Sequence, residues 1–409
     1  MRDASAVVLA VVASTFFVGF GGGVVFPILP NLGALLGISP FLVGLTLSAN
    51  RFTRLVANGP AGALVDRVGT RWPFVVGLFV ESVATLGYVV ALDASLPEAW
   101  FLLARVLWGV GSALVFATAY TIAADVSEGG SRGTSMGVVR GGITLGFPAG
   151  LVLGGVVSDL YSVSTAFVVA AAFAFVASGL AYLLVPETHV SEPHGSVRPW
   201  DLDLTLPTLT AGLVNFGLYF AYLGALFSTL VLFLGETGIS VWSYGPQGMS
   251  GLLMAVTVLS ASGFMIAGGS VSDRYASRTP VLLAFLGVSF AGFLALAMAN
   301  SLATLVVACV LVGAGQGGTS GPLVALLADL TPNERMGRAM GTNNVLGDLG
   351  GGLGPMVSLP LVERFGFAPL YAACAIVPVL AGLALLGGVR AQTGRFDPQT
   401  AEAVDAADD

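Results

Sequence analysis

Two stretches decide how the rest of this chain is read: Gly62-Ala-Leu-Val-Asp66-Arg67-Val-Gly-Thr-Arg71 and Gly269-Ser-Val-Ser-Asp273-Arg274-Tyr-Ala-Ser-Arg278. Each is a short polar hairpin of the form G-x-x-x-D-R-x-x-x-R set between two long apolar runs. They lie 207 residues apart in a chain of 409, so the motif returns after half the sequence. Other positions repeat as well. Asp125, Met136, Gly137, Gly146 and Gly150 align with Asp329, Met340, Gly341, Gly350 and Gly354 at an offset of 204, and Gly109 and Gly111 align with Gly313 and Gly315. A unit of about half the chain has been duplicated.

Composition places that unit in lipid. With 56% hydrophobic and 10% charged residues and a mean hydropathy of +0.90, the chain lacks the polar surface that a soluble protein of this size needs. The 56 Gly agree, because helices in a bilayer associate through close packing at small residues. All 16 basic residues are Arg, and they face 23 acidic residues, nine-residue acidic tail included (Ala401-Glu-Ala-Val-Asp-Ala-Ala-Asp-Asp409). Acid-rich chains without Lys resemble those of salt-loving organisms; a GC-rich genome is the alternative. This balance argues against a nucleic-acid partner, which requires clustered positive charge.

A helix crossing about 30 Å of hydrocarbon needs about 20 residues. Apolar runs of that length fall near 5–30, 41–65, 72–92, 99–123, 134–157 and 164–185, and again near 207–234, 246–270, 279–299, 302–327, 338–361 and 367–389. The reading is six spans and six, with boundaries 1–186 for an N-terminal bundle, 187–205 for a cytoplasmic linker, 206–390 for a C-terminal bundle and 391–409 for a tail. With the N-terminus inside, the inner loops and tails hold eleven Arg and the outer loops only Arg364. Positive charge is retained in the cytoplasm, so both termini are expected there. The first run is read as a retained helix rather than a cleaved leader. Because six is even, the copies enter from the same side, as parallel repeats.

The paired hairpins resemble the signature loop of the major facilitator superfamily of transporters. That resemblance implies an all-α integral membrane fold of twelve transmembrane helices in two pseudo-symmetric six-helix bundles, working by alternating access with a site near the midplane. It also implies that the loops latch the cytoplasmic side. Asp66 is then expected to face the N-terminal end of the eleventh helix near Gly337 and Arg338, and Arg67 to reach Asp125. The gating set is read as Asp66, Arg67, Arg71 and Asp125 with Asp273, Arg274, Arg278 and Asp329. The second copy has Ala276 where the family usually has Gly, so the weaker latch is expected there.

Two further segments resemble motifs of the same family. Arg105-Val-Leu-Trp108-Gly109-Val-Gly111 looks like the R-x-x-x-G-x-G pattern of drug efflux members, which puts Arg105 where an Arg assists proton transfer. Gly142, Gly146, Pro148 and Gly150, and in the second half Gly350, Gly354 and Pro355, partly match the antiporter motif; helix packing alone is the other reading.

Charges at membrane depth are the stronger clue, since each costs roughly 2.5 to 3.5 kcal/mol at the centre of a helix on the permissive scale. They are Arg51, Arg54, Glu81, Arg105, Arg140 and Asp348. At about 1.5 Å per residue, Arg51 and Asp348 both reach the midplane. Asp348 is expected to pair with Arg51 or Arg54 and to be the first choice as proton carrier, with Glu81 satisfying the other Arg. Arg105 and Arg140 are read as binding an anionic group or tuning a proton site.

Cys309 and Cys374 lie in apolar runs and read as core residues, and His189 and His194 as solvated linker residues, so neither a metal nor a cofactor is expected. No phosphate-binding loop is possible without Lys, and there is no G-x-S-x-G elbow. The chain is therefore not expected to be an enzyme. The reading is a monomeric, proton-coupled exporter of small organic or amphiphilic compounds in the plasma membrane, its partners being substrate, a proton or other coupling ion, and the bilayer. An importer of a small organic anion by ion symport is the alternative, and a non-transporting receptor or scaffold the alternative from another class.

Overall fold

The computed structural model describes residues 4–125, 132–188, 202–241, 243–275 and 277–396. His189, His194, Arg198 and the acidic tail lie outside them. The described chain is helical almost throughout, and its contacts divide it into two compact units: Met1–Pro199 with Ser240–Ala255, and Trp200–Ile239 with Val256–Asp409.

In the first unit the helices are α1 (Ala4–Val24), α2 (Leu29–Leu36), α3 (Pro40–Val68), α4 (Arg71–Leu92), α5 (Pro97–Asp125), α6 (Arg132–Leu160) and α7 (Val163–Leu184). The first apolar run, read as continuous to residue 30, breaks earlier. Pro27 has no N–H to give back along the helix, and the chain tightens into turns that close Phe26 on Gly23 and Ile28 on Val25 before α2 starts with Pro30 in its first turn. Along α6, Gly142, Gly146, Gly150 and Gly154 recur every fourth residue and so share one face. A Cβ on Gly146 or Gly150 would fall on the carbonyl oxygens of Phe16 and Phe20 in α1. These glycines let two backbones meet, and Gly19 and Gly23 of α1 return the contact against Ile143 and Phe147. Around that seam Val11, Val18, Phe74, Leu78, Val115, Ile122 and Val139 form the buried core.

The second unit contains α8 (Leu206–Tyr219), a π-helical turn (Phe220–Leu226), α9 (Phe227–Thr237), α10 (Pro246–Arg274), α11 (Thr279–Ala297), α12 (Leu302–Asp329), α13 (Met336–Phe365) and α14 (Phe367–Thr393), the first residues of α10 belonging with the first unit. The π turn interrupts the seventh span where Gly224 meets Gly354 of α13, Cα against Cα. Wide turns of this kind commonly mark functional positions. Gly350 repeats the seam by lying against the Phe216 carbonyl. Pro355 follows Gly354 inside α13 without ending it.

Eleven helices among the described residues are long and apolar enough to cross a bilayer. The twelfth long helix is α3, of 29 residues, which carries Arg51, Arg54, Asp66 and Arg67 and is correspondingly less apolar. The fold is the expected all-α membrane arrangement of twelve spans.

Candidate functional site

The first signature hairpin is a tight corner between α3 and α4. Gly69 takes φ +87°, where any other side chain is strained, and Glu187 fills the space a Cβ would need. The Glu187 carboxylate accepts from Thr70 N (2.7 Å), Thr70 Oγ1 (3.0 Å) and Arg71 N (3.3 Å), which caps the N-terminus of α4 with a negative charge. Arg71 donates to the Tyr182 carbonyl at 2.7 Å and lies over the Tyr182 ring. Asp66 and Arg67 are exposed. Asp125, expected to receive Arg67, accepts instead from Thr188 Oγ1 at 3.2 Å. The residue that organises this corner is therefore Glu187, from the segment read as the start of a linker.

The second hairpin differs in a way its sequence did not foreshadow. Arg278, not Arg274, joins the carboxylates: its Nη1 lies 2.8 Å from Asp273 Oδ1 and its Nε 2.9 Å from Asp329 Oδ2. Nη1 also donates to Ser272 Oγ at 3.1 Å. These hydrogen bonds and the two carboxylate charges outweigh desolvation and hold the guanidinium proton more firmly than usual. The copy with the less regular motif thus carries a closed ion-pair cluster, and among the described residues the copy with the regular motif does not.

At membrane depth in the first unit, α3, α4 and α5 enclose a charged cluster. Arg105 is 1% exposed and Glu81 2%. Arg105 Nε donates to the Thr46 carbonyl (3.2 Å), and Nη2 to the Leu47 carbonyl (2.9 Å) and Asn50 Oδ1 (2.6 Å), while its guanidinium lies 5.7 Å from the Trp108 ring centroid. Gly109 makes room for α3 at Asn50 and Thr53, and Gly111 for α4 at Gly77 and Glu81. The spacing R-x-x-x-G-x-G in this way puts Arg105 and Gly109 on the face of α5 toward α3 and Gly111 on the face toward α4. Arg54, half-buried on α3, lies over Phe116 and is the charge whose field reaches Glu81. Glu81 Oε1 and Ser112 Oγ are buried and complete no hydrogen bond among the described residues, and Tyr88 Oη and Arg105 Nη1, buried beside one another, meet without well-formed geometry. Orphaned or poorly satisfied polar atoms are rare in protein interiors, and their grouping here calls for an explanation.

The second unit supplies a control. Gly313 meets Thr257 and Ser260 as Gly109 meets Asn50 and Thr53, and Gly315 meets Ser289 as Gly111 meets Glu81. The same crossing is built there with Ser289 in place of Glu81, Cys309 in place of Arg105, Ala261 in place of Arg54 and Val258 in place of Arg51. Packing does not require the charges.

Arg140 is exposed on α6, and Arg51 is half-buried on α3. Asp348 belongs to the second unit, half-buried on α13. Sequence reasoning missed Tyr88, Asn50 and Glu187. Tyr88 is one helical heptad beyond Glu81 and faces the same side, which is the one signal that was available.

Twelve helical spans, an internal duplication and charge buried within the spans define a polytopic membrane protein. The profile of the Major Facilitator Superfamily matches residues 11–355 and 243–407, and the chain belongs to that family. It is 26% identical to the multi-drug resistance efflux pump PmrA of Streptococcus pneumoniae, over 88% of this chain and 90% of that one. It is 29% identical to the multidrug efflux protein YfmO of Bacillus subtilis, over 90% and 89%. Among solved structures, a bacterial homologue of the human lysosomal transporter Spinster superposes with a TM-score of 0.77 at 17% identity, covering 96% of this chain and 98% of the other.

Proposed function

We propose that this protein is a proton-coupled exporter of small organic or amphiphilic compounds, resident in the plasma membrane with both termini in the cytoplasm. The observation that carries the coupling is the first unit's buried cluster of Arg54, Glu81, Tyr88 and Arg105, set against neutral residues at the matched places of the second. A charge that the fold does not need, at a depth where it is costly, is retained for work on charge. Similarity to two multidrug efflux proteins supports export and a broad substrate class. In this scheme the carboxyl that changes proton occupancy lies among Glu81 and Asp348, with Arg51, Arg54 and Arg105 setting its balance and Arg140 directed to anionic groups. The acid-rich, Lys-free sequence supports a saline setting.

Sealed vesicles containing the purified protein test this. An imposed proton gradient should drive accumulation of lipophilic dyes against their own gradient, and a protonophore should abolish it. Uptake of organic anions driven in the symport direction would instead establish the importer reading.

The orientation has its own test. Thr70 and Ser277 are buried, so the informative positions are exposed neighbours: Val68 (51%) and Tyr275 (59%) on one face, Leu96 (58%) and Tyr161 (76%) on the other. Single cysteines at Leu96 and Tyr161 should react with an impermeant maleimide added to intact cells, and those at Val68 and Tyr275 only after permeabilisation. The reverse pattern would invert the topology.

A further inference from the structure

The best-defined contact outside the charged cluster is at the opposite end of α6 from its Arg132 end, where nothing in the signature motifs points. Asp159, in the last turn of α6, directs its carboxylate at the first turn of α10. Its Oδ2 accepts from Gly248 N at 2.6 Å, and the N–H groups of Gly245 and Gln247 lie around the same carboxylate. These are the N–H groups that a helix start leaves without intrahelical partners, and Pro246 has none to offer. A full negative charge on them is stabilised by the hydrogen bonds and by the helix dipole together.

The local sequence is fitted to this contact. A Cβ on Gly248 would meet Asp159 Oδ2 at 2.6 Å, and one on Gly245 would meet Oδ1 at 2.8 Å. One turn further in, Gly155 of α6 would collide with the Gln247 carbonyl, and Gly251 of α10 with the Leu151 carbonyl. The two helices therefore approach backbone to backbone over a strip of small residues, with one charge at its rim. Such a strip has little interlocking side-chain volume to hold it, so the rim carboxylate is its main directional bond. Residues Ser240–Ala255 pack with the first unit, so both partners of this contact lie within it.

We propose that Asp159 is a conformational latch: its carboxylate holds the first turn of α10 against α6 on the membrane face opposite the signature hairpins, and its release opens that face during transport. The latch rests on the transporter family alone and is independent of the coupling ion and of the direction of flux.

The test is thiol labelling at Ser250, which is fully buried in the contact. In the Ser250→Cys protein, peptide-resolved labelling by a small maleimide reads opening of the strip, and the native, buried Cys309 and Cys374 report on the rest of the fold. Adding Asp159→Asn should raise the labelling rate at position 250 on the order of tenfold, the scale of one lost charge-assisted hydrogen bond, with Cys309 and Cys374 unchanged. Gly248→Ala should do the same without touching the carboxylate, by displacing it. An unchanged rate at 250 in both variants would overturn the proposal. So would a parallel rise at Cys309 and Cys374, which would mark general loosening instead of a latch.

Discussion

Gly146→Leu is expected to abolish the folded protein, whereas Gly137→Leu, three turns or fewer away on the same helix, should leave it intact. A side chain at Gly146 has nowhere to go, because its Cβ would coincide with the Phe16 carbonyl of α1 and crowd the Phe20 amide. Overpacking in a close-packed interior typically costs about 1 to 3 kcal/mol when side chains can yield, and here the obstacle is backbone. Separating α1 from α6 by the width of a side chain would also pull apart the contacts at Gly19, Gly23, Gly142 and Gly150, all on the same seam. At Gly137 nothing lies within 4 Å of the added Cβ. The two variants have the same chemistry and nearly the same propensity cost, so the difference isolates close approach. Size-exclusion profiles of detergent-extracted protein read it: a monodisperse peak for Gly137→Leu, and aggregate or loss of expression for Gly146→Leu. Equal peaks would show that the seam can part without penalty.

That seam also shows what a sequence of this kind reveals and what it hides. The four-residue spacing of glycine on α6 gives the contact face, but not the partner helix, because nothing in a period of 3.6 says which neighbour a face meets. The spans were legible for a harder physical reason: a lipid-facing backbone must close its own hydrogen bonds, so long apolar runs have one outcome. Where that constraint relaxes, the reading fails locally. The break at Pro27 and the π turn at Phe220–Leu226 depend on local packing rather than on hydropathy. The signature hairpins were located by motif, yet their ion pairs were not. Arg67 and Arg274 are the conspicuous residues, but Arg278 makes the pairs, and Glu187 closes the first corner from a segment that reads only as linker. Side chains meet across helices at distances that sequence separation does not encode. Asp159 is the extreme case, a single Asp whose partner lies 89 residues on.

Glu81→Gln should abolish gradient-driven transport while leaving the fold and non-driven exchange in place. The sequence alone favours Asp348 for this role because of its depth, and assigns Glu81 to stability. Three features of the first unit shift the larger expected effect to Glu81. It is enclosed almost completely at 2% exposure, one of its carboxyl oxygens completes no hydrogen bond, and the duplicated crossing is built with Ser289 at the same place. The last point carries most weight, since a neutral group suffices for packing there, and glutamine keeps the volume of the native side chain. Among the described residues the charge that acts on Glu81 is Arg54 from α3, and Tyr88 of α4 lies between Glu81 and Arg105 of α5; the titratable residue of α7, Tyr182, is engaged with Trp72 and Arg71 instead. Loading a proton at Glu81 would leave the Arg54 charge less compensated, and a change in their distance during the cycle would change that balance. In sealed vesicles, Glu81→Gln should therefore fail to concentrate a dye under an imposed proton gradient, yet still exchange labelled for unlabelled dye at equal concentrations. Asp348→Asn, half-buried on α13, should lower the driven rate without removing it. If Asp348→Asn alone removes driven transport, the proton is carried in the second unit, and the first unit's cluster binds substrate instead. If both variants still pump and keep the native dependence on pH, neither carboxyl is the carrier, and the Arg105 crossing is a structural tie between α3 and α5.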